Sequence, residues 1–315
     1  FQAATIAASG ATTTAPSAAS PGATLRLGAT NTNAQPARMR WGETLIFARV
    51  LHEFERQVVR EYIAARYGIT APRLEGADRD IMSLLPFSWM EAAAHVQSGG
   101  KVTAFLDRAR PGHVFTQSDA SLQVAAPMVD VAFRAAATAT FVRASGTNYQ
   151  SSLPASSWRF AHNGEGCQIV AAVALATPAV SGFLFGTRIS SEGLRVGNDA
   201  NAWIVAMQNT GAFPILTESA GVADSTPVGL MFRHATAANP QWSLRRNGMQ
   251  LSGGAYTATP STTGPDASMR IGSHGSGAGA GDFRSPGMVF FDRVLTAVEE
   301  AQLQAAFLSK YGVSP

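Results

Sequence analysis

Residues 1–70 of this 315-residue chain align without a gap on residues 245–314, at a constant offset of 244. The clearest stretch sets Gly22-ATLRLGATNTNAQPARMRWGETLIFARVLHEFERQVVREYIAARYGIT against Asp266-ASMRIGSHGSGAGAGDFRSPGMVFFDRVLTAVEEAQLQAAFLSKYGVS. Six identities fall in the first 21 positions and twelve in the remaining 49. A repeat of this kind constrains the fold more than any local motif, because both copies must end in the same packing unit. Residues 71–314 number 244, so the second copy ends one full period after the first, as contiguous tandem units require. On that reading residues 1–70 are the C-terminal part of a preceding unit, which would continue upstream of Phe1. The apolar side chains Phe47, Phe54, Ile63 and Tyr67 would each lose roughly 1.5–3 kcal/mol if left in water. An upstream tandem unit or a neighbouring chain is therefore the expected partner of residues 1–70.

Each copy closes with the same small module. In the second, Met288-Val-Phe-Phe-Asp292 reads as a strand and leads into a helix. Thr296 and Glu299 have the spacing of a capping box, in which each side chain satisfies an orphan amide at the helix start. Val298, Leu303 and Phe307 are expected on an apolar face, with Phe54, Val59 and Ile63 in the first copy. Tyr67-Gly68 and Tyr311-Gly312 end the two helices, with glycine suited to a left-handed cap.

Between the copies the pattern changes to short runs separated by turn residues, which predicts strands. These are Val102–Leu106, Val129–Phe133, Trp158–His162, Gln168–Leu175, Gly182–Gly186, Gly193–Val196, Ala202–Met207, Val228–Phe232, Trp242–Arg246 and Ser268–Ile271. Val228, Leu230 and Phe232 share one face, as do Trp242 with Leu244 and Met269 with Ile271. So many half-buried strands require two packed sheets. Arg233, Arg245 and Arg270 are expected on the opposite, solvated face, and Asn247-Gly248 is a hairpin turn.

The chain has 24 basic and 21 acidic residues and a pI near 9.3, and all but two of the basic residues, Lys101 and Lys310, are arginine. The arginines are dispersed rather than gathered in a stripe, which argues against nucleic acid as a partner. One cysteine, Cys167, excludes an internal disulfide and a CxxC metal site. The longest apolar stretch, Cys167 to Val180, is interrupted and too short to span a bilayer. No basic n-region precedes Phe1, so no signal peptide is visible.

Thr226-PVGLMFRHATAANPQWSLRRNGMQL251, Ser268-MRIGS273 and Gly287-MVFFDRVLTAVEEAQLQAAFLSKYG312 together resemble the closing half of a laminin-G-like domain. Phe87-SWMEAA, Gly100-KVTAFLDRA and the Phe160-to-Val173 segment resemble the openings of such domains in phage and bacterial surface proteins. The resemblance implies membership of the concanavalin A-like lectin/glucanase superfamily. The expected fold is all-β: a two-sheet antiparallel jelly-roll sandwich with a short C-terminal helix packed on it, preceded by the tail of a similar unit. The expected boundaries are 1–70 for that tail, 71–86 for a linker leading into the domain, and 87–315 for the complete sandwich.

Glucanases of the superfamily are similar to one another in a strand carrying Glu-x-Asp-x-x-Glu or Glu-x-Asp-x-Glu, and no such triplet occurs here. A retaining glycosidase needs two carboxylates ~5 Å apart. Glu75, Asp78 and Asp80 come nearest, but they lack that spacing and fall in the expected linker. No GxSxG or HExxH occurs, and the histidines are scattered at 52, 95, 113, 162, 234 and 274. The run Gly275-Ser-Gly-Ala-Gly-Ala-Gly281 does not open a helix as a phosphate loop does, and the first copy has Thr30-NTNAQPA37 in its place. It reads as a tolerant loop.

A sugar site needs an aromatic platform and a few convergent polar groups. Asn198, Asp199 and Asn201 beside Trp203 are the first candidate cluster, with an Asx-rich turn next to a core tryptophan as the alternative. Asn148 and Tyr149 are the second. Laminin-G-like domains often hold calcium, but Asp199 with Asn198 or Asn201 supplies few of the six to eight oxygens required, so no metal or other cofactor is expected. The leading expectation is a non-catalytic glycan-binding adhesion module in a tandem array, extracellular, on a virion fibre or a bacterial surface. Its expected partners are a surface polysaccharide or glycan and a second copy of the chain. The alternatives are a structural spacer and, behind it, a glycoside hydrolase.

Overall fold

The computed structural model describes residues 45–68, 74–162, 165–189, 192–199, 202–208, 215–217, 226–235, 241–255 and 264–315. The chain divides into two compact units, Phe1–Leu51 with Val59–Pro72 and His52–Val58 with Arg73–Pro315. Among the described residues of the first unit, Ile46, Val50, Tyr62 and Tyr67 are exposed. The second unit is the all-β sandwich.

Its elements, with the helix that precedes them, are α1 (Glu53–Tyr67), α2 (Gly76–Ser83), β1 (Ser88–Ser98), β2 (Lys101–Asp107), β3 (Val114–Thr116), β4 (Met128–Asp130), β5 (Ala136–Phe141) and β6 (Tyr149–Ser151). There follow β7 (Cys167–Leu175), β8 (Gly182–Gly186), β9 (Gly193–Asp199), β10 (Ala202–Gln208), β11 (Ile215–Thr217) and β12 (Val228–His234). The last are β13 (Gln241–Arg246), β14 (Met249–Ala255), β15 (Arg270–Ile271), β16 (Phe283–Phe291) and α3 (Ala297–Tyr311). All pairings between these strands are antiparallel.

One hydrogen-bonded path runs β11-β10-β9-β8-β15-β6-β3-β2-β1-β16-β7-β12-β13-β14 and folds back on itself. The front layer extends from β11 to β3, the back layer from β1 to β14, and β2 joins them. Leu184, Val196, Val205 and Ile271 of the front layer meet Ile169, Phe232 and Phe290 of the back layer in one buried cluster. The Phe185 and Phe290 rings lie 5.7 Å apart across the interior. The alternation of Val228, Leu230 and Phe232, and of Met269 with Ile271, places all five side chains there, as the period-two pattern requires.

A second cluster covers the outer face of the back layer. Val170, Ala172 and Ala174 of β7 alternate with the interior residues and pack with Ile81 and Met82 of α2 and with Leu303, Phe307 and Tyr311 of α3. Burial on both faces is why Ile169–Leu175 reads as an unbroken apolar run. No helix among the described residues is long and apolar enough to cross a membrane. Helix α3 carries the expected capping box between Thr296 and Glu299, and Gly312 takes the left-handed cap at φ 75°.

Several expectations need correction. Val298 is exposed, because it lies five residues before Leu303 and so about 140° around the helix from the Leu303–Phe307–Tyr311 stripe. The expected linker contains α2, whose Asp78 joins Glu91 of β1, Arg108 and Lys310 of α3 in one ion-pair network. Arg233 and Arg245 do not face open solvent; both pair with Glu300 of α3. Trp158–His162 is no strand: residues Ala155–Ala161 form a 3-10 helix that directs Trp158 and Phe160 into the core. Val129–Phe133 is split between β4 and a 3-10 turn at Val131–Phe133.

Candidate functional site

The helices cover the back layer, so the outer face of the front layer is where strand side chains meet solvent without a helix over them. Three neighbouring strands, β8, β9 and β10, form a groove of about 330 Å³ there, lined by Ser181, Phe183, Arg195, Asn198, Asp199, Ile204 and Ala206. The register explains the lining. Arg195 lies opposite Ala206, Gly197 opposite both Ile204 and Phe183, and Asp199 opposite Ala202. Residues 195, 197 and 199 therefore share the outward face, while Leu194 and Val196 point into the core.

The middle of the groove holds no side chain, for a steric reason. A Cβ on Gly197 would collide with the Gly182 carbonyl oxygen and the Phe183 Cα, because β8 bulges between Phe183 and Phe185 and presses on β9. At one end the Arg195 guanidinium lies over the Phe183 ring, 5.1 Å from its centroid. At the other, the exposed Asp199 carboxylate accepts a hydrogen bond from the Ser181 hydroxyl. Asn198 is buried, and its amide donates to the Pro178 and Val180 carbonyl oxygens at 2.8 and 3.0 Å, fixing the loop that carries Ser181. The arrangement offers an aromatic face, a hydroxyl, a carboxylate and a guanidinium, which suits a polyhydroxylated ligand.

Of the residues singled out from sequence, Asn198 and Asp199 line this groove. Trp203 does not. Its side chain alternates with Ile204 and lies wholly buried in the interior cluster, so it cannot serve as a platform. Asn201 lies outside the described residues. Asn148 is buried and takes up the Arg270 guanidinium on its Oδ1 at 2.7 Å while its Nδ2 donates to the Gly146 carbonyl oxygen at 2.8 Å. Tyr149 is a core residue: its hydroxyl donates to the Val102 carbonyl oxygen and accepts from the Val124 amide, and burial pushes its pKa up to about 12. Ser181, Phe183, Arg195, Ile204 and Ala206 were the groove residues left unnamed, although the inward alternation of Leu194 and Val196 already turns Arg195 outward.

A second constellation arises that no local motif announced. The Asp107 carboxylate is 2.5 Å from His113 Nδ1, and His113 Nε2 is 2.9 Å from Ser151 Oγ. All three residues are buried. This is the order of a hydrolytic triad, but the serine oxygen is saturated. It accepts from Trp158 Nε1–H and from the Leu153 amide, each at 3.0 Å, while its own proton is directed at His113. An attacking oxygen needs a free lone pair aimed at an open site, and here both lone pairs hold donors. Asp107 is likewise fixed by the amides of Trp89, Ala109 and Arg110. The chain ties β2, β3 and β6 to the 3-10 helix.

The glycine run also differs from its expected role. Gly272–Gly281 packs tightly against β8 and residues 187–188: a Cβ on Gly275 would lie 2.8 Å from the Arg188 carbonyl oxygen, and one on Gly279 2.8 Å from the Phe183 ring. In this copy the glycines permit close approach rather than marking a tolerant loop. They seat His274 edge-on against Phe183, with ring centroids 5.4 Å apart.

No family model matches the chain, and no curated protein matches it. Solved structures of similar fold include Trypanosoma rangeli sialidase (17% identity, TM-score 0.51) and the same organism's sialidase in complex with 2,3-difluorosialic acid (18% identity, TM-score 0.50). Each match covers 82% of this chain and 38% of the sialidase, so the chain spans well under half the length of those proteins. At this identity the likeness is one of fold, and it is with all-β sandwich structure that the chain agrees.

Proposed function

We propose that the sandwich is a non-catalytic carbohydrate-binding module of the concanavalin A-like, laminin-G-like kind. The observation that carries this reading is the groove on the open front face, where Phe183, Ser181, Arg195 and Asp199 converge on a rigid scaffold. A sialidase of similar fold was captured with a sugar derivative, and a saccharide is the ligand class proposed here. The saturation of Ser151 Oγ supports the non-catalytic part of the proposal. In this reading the module works outside the cell, in a tandem array whose weak sites act together through avidity.

The deciding experiment is a glycan-array screen of the protein beside its Asp199→Ala and Phe183→Ala variants. Binding should be weak per site, with a Kd on the order of 0.1–1 mM, and both variants should lose it while remaining folded. Folded variants that bind like the parent would remove this groove, and absence of binding even on a multivalent array would favour a spacer. Release of reducing sugar by the unmodified protein would instead establish a hydrolase.

A further inference from the structure

We propose that the front face carries an anion slot between Arg195 and Arg270, floored by Gly186, that receives a carboxylate or sulfate group of an acidic saccharide. The inference rests on the carbohydrate reading and narrows it to a ligand class.

Strand register places the slot. Gln150 of β6, Arg270 of β15, Gly186 of β8, Arg195 of β9 and Ala206 of β10 stand directly opposite one another in a single row across the front layer. Directly opposed residues project to the same face. The two arginines are therefore two strand spacings apart, about 10 Å between backbones. Between them lies a position that holds no side chain. Gly186 is buried, and a Cβ on it would come within 2.8 Å of the Leu194 carbonyl oxygen and 3.1 Å of the Arg195 Cβ, so the position between the two arginines is kept free of a side chain.

The charge balance around the slot is one-sided. Arg270 gives its Nε–H to the Gly275 carbonyl oxygen at 2.9 Å, Nη1 to Asn148 Oδ1 at 2.7 Å and Nη2 to Gln150 Oε1 at 2.6 Å. All three acceptors are neutral; they aim the guanidinium without cancelling its charge. Arg195 forms no ion pair among the described residues, its charge facing the Phe183 ring, and its buried Nε has no hydrogen-bond partner. Burial lowers the pKa of both arginines, so both are partly stripped of water. Arg188 adds a third cation in reach of Arg195, with Asp266 as its nearby acid. His274 shares this field: burial first, and then Arg195, Arg188 and Arg270, hold it below its ordinary pKa. The remaining carboxylate of the groove, Asp199, lies four residues along β9 from Arg195.

Partly desolvated cations without a counter-charge are costly, and guanidinium forks match planar carboxylate or sulfate oxygens in pairs. An anionic ligand would supply the missing charge while Asp199 and Ser181 met sugar hydroxyls. The first copy of the repeat keeps arginine at the position aligned with Arg270, Arg26.

The test is calorimetric titration of the protein with polygalacturonate, dextran sulfate and neutral dextran. Arg195→Gln is compared with Arg143→Gln, which removes the same charge from an exposed site elsewhere. The structure predicts binding to one polyanion or both at least about tenfold tighter than to dextran. Preference for polygalacturonate identifies a carboxylate ligand and preference for dextran sulfate a sulfate. Arg195→Gln should lose about tenfold and Arg143→Gln less than twofold. Should Arg195→Gln fail to fold, Arg195→Lys decides, since it keeps the charge but not the fork and should still weaken binding several-fold. Equal losses in Arg195→Gln and Arg143→Gln, or undiminished binding by Arg195→Lys, would overturn the slot. Dextran binding as tight as polyanion binding would overturn it too and leave the carbohydrate reading standing, whereas binding to none of the three would count against both.

Discussion

At the residue scale, polar groups in this sandwich are held by partners that differ sharply in what they permit. His162 is the least satisfied. It is 1% exposed, and neither ring nitrogen has a hydrogen-bond partner among the described residues. Burial, only partly offset by Glu192 and Asp266, lowers its pKa from 6.5 to about 4. The folded protein therefore keeps this imidazole neutral between pH 6.5 and 4 while the unfolded chain takes up a proton. Its contribution is complete above pH 6.5 and is lost as pH falls toward 4, by about 3 kcal/mol in all. Denaturant unfolding across that window should show His162→Phe with a shallower acid loss than the parent; parallel pH profiles would contradict the assignment. Ser151 is the opposite case, with every valence engaged. A fluorophosphonate probe should leave the folded protein unlabelled at Ser151, and labelling abolished by Ser151→Ala would show a working nucleophile. The contrast also bears on what could be read from residues alone. Asn198 and Asp199 stood out by composition, but Trp203 was misplaced because a tryptophan flanked by strand residues faces whichever side the register dictates. The Asp107–His113–Ser151 chain joins the end of β2, the residue before β3 and the end of β6, and no spacing in sequence reports it.

At the scale of elements, local rules held where hydrogen bonding is local. The capping box at Thr296 and the left-handed glycine at Gly312 were legible because both act within one turn of α3. Thr296→Ala should cost about 1 kcal/mol in denaturant unfolding, and an unchanged midpoint would mean that the cap contributes nothing. Alternating strands were equally legible, since Val228, Leu230 and Phe232, like Met269 and Ile271, show the period of the sheet they enter. What failed was alternation without a sheet. Trp158, Phe160 and His162 alternate, yet Pro154 begins a 3-10 helix whose three-residue turn buries Trp158 and Phe160 together. Glycine was the other blind spot. The Gly197→Ala methyl would strike backbone atoms of β8, which cannot move aside without unpairing the bulged strands. That variant should lose roughly 2–4 kcal/mol or fail to fold, and a near-neutral midpoint would show that β8 and β9 can separate.

At the scale of the whole molecule, the two layers divide the work. The back layer is sealed on one face by the interior and on the other by α2 and α3, with the ion-pair network of Asp78, Glu91, Arg108 and Lys310 tying both helices to β1. The front layer has only its inner face buried, which leaves β8, β9 and β10 free to present side chains to a ligand. The strand periodicity made the sandwich legible. The groove was legible only in part, because it depends on which strands become neighbours across the front layer. The most direct test of the central claim is an amide chemical-shift titration of the isotopically labelled protein with a panel of neutral and acidic oligosaccharides. The account predicts saturable shifts confined to the Phe183, Arg195 and Asp199 region, absent in Asp199→Ala, with the oligosaccharides recovered intact. Saturable shifts centred elsewhere, or none with any saccharide, would contradict it.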